Sequence, residues 1–133
     1  MKTRRILQKA IKKFSRIPLA SLNYHLGRYD NVTWLVSDGR SGSTWLSDLL
    51  NWDRKYRELF EPYHPFQVKQ VKDFSLFQYL RIETTDSPLC TFLENVFTGN
   101  FKHLRADVSK PQLLYDGLLI KDIFAHLLMP WVD

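Results

Sequence analysis

The chain contains a single cysteine, Cys90, in 133 residues, so neither an internal disulfide framework nor a Cys-rich metal site can form. A lone thiol fits a reducing compartment. No run approaches the roughly eighteen apolar residues that a membrane-spanning helix requires. The N-terminus is basic, but charges recur through Arg16 and leave no uninterrupted apolar stretch of the kind a secretory signal needs. His25, His103 and His126 have no ligand spacing to other histidines, cysteines or carboxylates, so no metal is expected. These absences predict a cytoplasmic protein.

Acidic residues are also missing from the first 28 positions, which carry eight Lys or Arg. Of nineteen basic residues in all, eleven remain for 29–133 against fourteen acidic ones, a formal charge of −3. The chain therefore divides into a basic arm, 1–28, and a mildly acidic body, 29–133. A global basic surface for nucleic acid is excluded by that division. With 44% hydrophobic residues the body has enough apolar material for one core.

Ile6, Leu7, Ala10, Ile11, Phe14 and Ile17 recur at helical spacing until Pro18, with Lys and Arg on the other face. One reading is an interfacial helix giving peripheral contact with anionic lipid through residues 1–17. The other is a solvated helix packed on its own domain or on a partner.

Within the body, Val32-Thr33-Trp34-Leu35-Val36-Ser37 reads as a buried strand. A Gly-Ser loop follows, then a helix over 44–50 with Trp45, Leu46, Leu49 and Leu50 on one face. Residues 56–60 form a second strand, running into a rigid Pro62-Tyr63-His64-Pro65 loop. Helices are expected over 66–82 and 88–97, a third strand at 118–120, and a helix from Asp122 through Leu128, broken by Pro130. Strands alternating with helices predict an α/β fold, a three-layer parallel sheet flanked by helices.

The loop Ser37-Asp38-Gly39-Arg40-Ser41-Gly42-Ser43-Thr44-Trp45 joins a strand to a helix N-terminus, where backbone N–H groups lack intrahelical partners. Gly39 and Gly42 are expected to supply positive φ angles and close backbone approach. Ser41, Ser43 and Thr44 add hydroxyls, and Arg40 adds a fixed charge suited to phosphate or sulfate oxygens. The nucleoside-triphosphatase motif G-x-x-x-x-G-K-[ST] does not fit, because Gly39 lies too close to Gly42 and Ser43 stands where the lysine belongs.

Gly39-Arg40-Ser41-Gly42-Ser43-Thr44-Trp45-Leu46 resembles the 5′-phosphosulfate loop of sulfotransferases that use 3′-phosphoadenosine 5′-phosphosulfate (PAPS), in their carbohydrate-type and bacterial branches. Leu59-Phe60-Glu61-Pro62-Tyr63-His64 is similar to that family's second-strand Glu-Pro segment. Leu119-Ile120-Lys121-Asp122-Ile123-Phe124-Ala125 is similar to its Lys-Asp segment. The resemblance implies a P-loop-like sheet and a PAPS donor gripped by Arg40 and residues 41–44, with Gly39 and Trp45 in the same binding set. Trp45 walls the nucleotide there or belongs to the core. The acceptor would be a hydroxyl of a sugar or lipid-linked carbohydrate. The family's later Arg and Ser for the 3′-phosphate have no match, and the neighbourhood of Lys110-Pro111 lacks the strand–Arg–helix arrangement. An incomplete sheet is therefore expected: the N-terminal part of such a domain, with reduced or no activity or completed by oligomerisation.

Sulfuryl transfer to a hydroxyl needs a proton acceptor within hydrogen-bond reach. Glu61 is the expected base, since it ends a parallel strand and matches the Glu-Pro position; His64 is the alternative. Lys121 and Asp122 are expected to pair with each other at a strand end. Two further functions compete: a P-loop nucleotide kinase-like transferase, and a non-enzymatic module that binds anions or lipid surfaces through its basic helix.

Overall fold

The computed structural model describes residues 29–74, 78–109 and 114–132. The basic helix expected over 3–17 and its membrane contact lie outside them. Five main elements build the body: strand β1 (Val32–Val36), helix α1 (Ser43–Leu50), strand β2 (Tyr56–Phe60), helix α2 (Pro88–Phe97) and strand β3 (Gly117–Asp122). A four-residue helix, α3 (Met129–Val132), follows them.

The three strands are parallel in the order β1-β3-β2, so the last strand in sequence inserts between the first two. Register places Trp34 beside Ile120 and Ile120 beside Leu59, and Thr33 beside Leu119 and Leu119 beside Glu58. Because strand side chains alternate between faces, the first row looks one way and the second the other. The Trp34 row meets the main core, where Trp34 packs on Phe97 of α2 with ring centroids 5.1 Å apart. Tyr63, Phe92 and Phe101 extend that aromatic layer, with successive centroids at 5.5 and 5.2 Å. On the opposite face, Ser47 of α1 donates to Glu58 Oε1 at 2.6 Å. The structure is thus α/β, with helices on both faces of a small parallel sheet.

Helix α2 forms where its sequence says it should. Ser87 caps it by accepting from the Leu89 N–H at 3.2 Å, Pro88 occupies its first turn, and Gly99 turns the chain away at φ 73°. Leu89, Cys90, Phe92, Leu93 and Val96 supply its buried stripe.

Two expected helices are not formed as read. Among the described residues of 66–82, with 75–77 outside them, the helical structure is a single 3₁₀ turn at Lys69–Val71. From Val71 to Phe74 the backbone bonds are of the three-residue turn type, as in Phe74 N–H to Val71 O, and Leu80 N–H reaches Leu127 O instead of continuing a helix. Val68, Val71 and Leu80 are buried while Phe66, Tyr79 and Ile82 are exposed, so the apolar residues there do not share one helical face. The helix expected from Asp122 to Leu128 is replaced by strand, a bend and a 3₁₀ turn at His126–Leu128. Asp122 is the last residue of β3, and Pro130 sits in the first turn of α3, where its missing N–H costs nothing.

Arg57 of β2 is fully buried against Asp107, which it contacts through Nε at 3.2 Å and Nη2 at 2.8 Å. Its remaining donors reach the carbonyls of Gly99 and Phe101. This one guanidinium ties the end of α2 and the 99–107 segment to the sheet. Tyr115 lies against the pair, and burial pushes its hydroxyl up to about 12. Arg57→Ala would leave Asp107 buried without its main counter-charge. A loss of about 3–5 kcal/mol in urea-denaturation stability is expected.

A candidate anion-binding cleft

All three parallel strands end at one side of the sheet, and the segments following them line one cleft. Gly39, Arg40 and Gly42 come from the loop after β1, Ser43 and Thr44 from the first turn of α1, Glu61 directly follows β2, Lys121 is the next-to-last residue of β3 and Ile123 directly follows that strand. Open α/β sheets carry their ligand crevice at these strand ends, because the loops there are free of the sheet's own hydrogen bonds.

The loop is held at its base by Ser37 N–H to Asp122 O, at 3.1 Å, and turned by Ser41 N–H to Asp38 O, at 3.3 Å. Arg40 at φ 67° and Gly42 at φ 84° adopt the left-handed conformation. Gly39 does not, contrary to the expectation that both glycines would. The strain falls on Arg40, and a Cβ on Gly39 would meet only Ile123 Cδ1 at 3.9 Å. Gly42 is also the N-cap of α1, and no side chain caps the helix. Leu46 N–H bonds Gly42 O at 3.1 Å, so the amides of Ser43, Thr44 and Trp45 precede the first intrahelical bond. They and the helix dipole favour an anion here. Arg40 is exposed and makes no ion pair among the described residues.

Glu61 is buried and held from both sides. Lys121 Nζ donates to its Oε1 and Arg105 Nη2 to its Oε2, each at 2.9 Å. Its backbone is left-handed at φ 50°, with its N–H on Lys121 O at 2.6 Å. Burial pushes the carboxyl up, but the hydrogen bonds and charges of Lys121 and Arg105 outweigh it and hold Glu61 below the ordinary glutamate value. Each carboxylate oxygen has two lone pairs, so one cation apiece still leaves room to accept a further hydrogen bond. Lys121 also lies over the Phe60 ring, 4.4 Å from its centroid.

Lys121 therefore pairs with Glu61 and not, as the sequence suggested, with Asp122. Neighbours in a strand point to opposite faces, so the two cannot meet. Asp122 is fully buried, accepting from Tyr63 N–H at 2.9 Å and Phe124 N–H at 2.6 Å. Burial raises its carboxyl to about 6, against the lowering effect of those two amides. It locks the segments after β2 and β3 together beneath the cleft.

Two expected site residues are placed elsewhere. His64 does not line the cleft. Its ring packs edge-on against Phe124 at 5.0 Å, its Nε2 faces Gln67 at 3.1 Å, and burial with the Arg105 charge lowers its pKa. Trp45 is neither core nor cleft wall, being 69% exposed on the outside of α1. One residue that sequence reasoning missed is Arg105. It sits in an irregular segment with no motif around it, and only folding brings it 44 positions back to Glu61.

Among the described residues no three His, Cys, Asp or Glu gather as a metal site, and no helix is long and apolar enough to cross a membrane. Comparison with protein-family models, with curated proteins and with solved structures returns no match.

The two glycines should respond differently to alanine. Gly42→Ala has open space for its Cβ but must adopt φ 84°, so a loss of about 1–2 kcal/mol is expected. Gly39→Ala should change stability by less than about 0.5 kcal/mol. Paired chemical-denaturation curves check both.

Proposed function

We propose that the cleft binds the 5′-phosphosulfate of PAPS and transfers its sulfuryl group to a hydroxyl of a carbohydrate or lipid-linked acceptor, on a P-loop-like sheet. The observation that supports this most is a single juxtaposition. A helix N-terminus without a side-chain cap and Arg40, which has no ion pair among the described residues, line the same cleft as a carboxylate held between two cations. Such a site suits a donor anion on one wall and a hydroxyl to be deprotonated on the other.

In this reading Arg40, the amides of residues 43–45 and the hydroxyls of Ser41 and Thr44 hold the phosphosulfate oxygens. The sulfur–oxygen bond to the bridging oxygen breaks as a new one forms to the acceptor oxygen. 3′,5′-Adenosine bisphosphate leaves, and the acceptor proton passes to Glu61. Positioned positive charge does most of the work, as in phosphoryl transfer. Glu61 is a weak base because its cations stabilise the carboxylate, so it takes the proton late, once the acceptor oxygen has gained positive character. Lys121 and Arg105 are positioning residues. The 3′-phosphate contacts are not assigned to any residue of this chain. A cytoplasmic setting with peripheral membrane contact through residues 1–17 belongs to the same proposal.

Calorimetric titration should show binding of 3′,5′-adenosine bisphosphate in preference to magnesium–ATP. The reverse preference would favour the kinase-like reading, and vesicle binding with neither nucleotide would favour the anion or lipid module. Arg40→Ala should weaken bisphosphate binding by about ten- to a hundredfold, the range for a lost charge-assisted hydrogen bond. Glu61→Gln frees two cations into the cleft, so donor binding should be kept or tightened while turnover falls by about a hundredfold or more. Full turnover in that variant would remove Glu61 as the base.

The pH profile tests the same group. With its folded pKa depressed, Glu61 stays ionised below the ordinary glutamate value of about 4.3, and so does its stabilisation of the fold, which is lost only as pH falls through the folded value. Arg105→Ala removes one of the two lowering influences. The acid limb of kcat/KM should then move to higher pH.

A further inference from the structure

Two carboxyl groups stand at the ends of β2 and β3, and their surroundings push them apart. Glu61 lines the cleft with a cation on each oxygen, so its charge is answered within the wall. Asp122 is fully buried and makes no ion pair among the described residues. Its Oδ2 and Oδ1 accept the amide N–H groups of Tyr63 and Phe124. One carboxyl is therefore held below the ordinary glutamate value, while burial raises the other to about 6. Over the interval between them Glu61 is ionised and Asp122 is neutral. Carboxyl pairs separated in this way take different roles at one pH.

The Asp122 carboxyl lies close behind the cleft. Both its chain neighbours, Lys121 and Ile123, line the cleft, and its own carbonyl takes the Ser37 amide at the root of the loop. A buried charge in that place acts through protein and not through water, where salt would screen it. Ionised, it opposes an anion entering beside Arg40 and the amides of 43–45. Neutral, it does not. The other groups around it leave that contrast in place. Glu61 from the segment after β2 raises its pKa, and Lys121 on its own strand lowers it to a smaller extent. Tyr63 stays neutral, its hydroxyl pushed well above the ordinary value by burial and by Asp122 itself. His64 packs on Phe124, and Asp38 of the loop meets His126 of the turn after β3 at 3.4 Å.

We propose that Asp122 is a positioning residue whose proton sets the hold of the cleft on anions: a dianion binds with uptake of a proton at this carboxyl, and binds more tightly where the carboxyl is already neutral. The proposal rests on the reading of the cleft as an anion site, and not on the identity of the donor. Linkage makes the effect reciprocal, so the anion also draws the Asp122 titration to higher pH. A sulfuryl donor is then gripped best on the acidic side of neutrality, in the interval where Glu61 is still ionised and able to accept a proton.

Inorganic sulfate is the probe, because it remains a dianion across this interval whereas phosphate esters titrate at about pH 6. Amide shifts of Gly42 and Ser43 follow its binding to the full chain at fixed ionic strength, from about pH 8 to about pH 5, on either side of the Asp122 value. Affinity should rise by about fivefold or more over that range, and Asp122→Asn should abolish the rise. A rise that survives Asp122→Asn overturns the proposal. So does its loss in His64→Gln or His126→Gln, which would assign the proton to that histidine. If Asp122→Asn misfolds, the carboxyl carbon resonance of Asp122 in the wild type decides. Its titration midpoint should move up by about 0.7 at saturating sulfate, the logarithm of the fivefold ratio, and an unmoved midpoint overturns the proposal. Sulfate binding of pH-independent affinity removes the proton control and leaves the anion cleft standing. Absence of sulfate binding at every pH removes both.

Discussion

Two adjacent charges at the end of β3 organise the cleft end of this sheet. Lys121 and Asp122 are both buried, a costly arrangement unless each finds a partner. Alternation sends them to opposite faces, and each draws in a different segment. Lys121 fixes Glu61 just beyond β2. Asp122 gathers the amides of Tyr63 and Phe124 and, through its carbonyl, the Ser37 amide at the root of the loop. The segments after all three strands are thus held by two consecutive residues of the central one. The floor of the cleft is fixed by hydrogen bonds and ion pairs, while the loop residues 38–42 above it are exposed.

Glu61 is held in place through both its backbone and its side chain. Its left-handed backbone is a strained choice for a non-glycine residue, and its side chain fastens Lys121 and Arg105. That strain is sustained by a bond from its amide to β3 and by two ion pairs. The same contacts that hold it in place lower its basicity, so position and proton affinity are set by a single cluster and cannot be tuned apart.

Much of the local structure was legible in the sequence. The strand read at 32–37, the helix over 44–50, the strand at 56–60 and the Ser-Pro start of α2 all form within a residue of where their patterns place them. Residues 66–82 misled because their apolar residues are spread around the chain and answer to several neighbours, Leu127 among them. The face of α1 misled more instructively. Its leucines and Trp45 have the spacing of a buried stripe, yet the sheet beneath offers Glu58, which demands a hydroxyl. Satisfying a buried carboxylate took precedence over hiding leucines, and the apolar arc was turned outward.

By itself the sequence determined the strand-to-helix loop with its arginine and small polar residues, the parallel α/β class, and the proximity of Glu61 to that loop. Those follow from short-range chemistry: backbone propensity, caps, and the rule that parallel strands end on one side. Tertiary structure alone decided that Arg40 takes the left-handed turn in place of Gly39, that Lys121 serves Glu61 and not Asp122, that Arg105 completes the pair, and that His64 turns away. Each of these depends on which face a side chain leaves from and what lies across from it. No spacing along the chain encodes that until the sheet has closed.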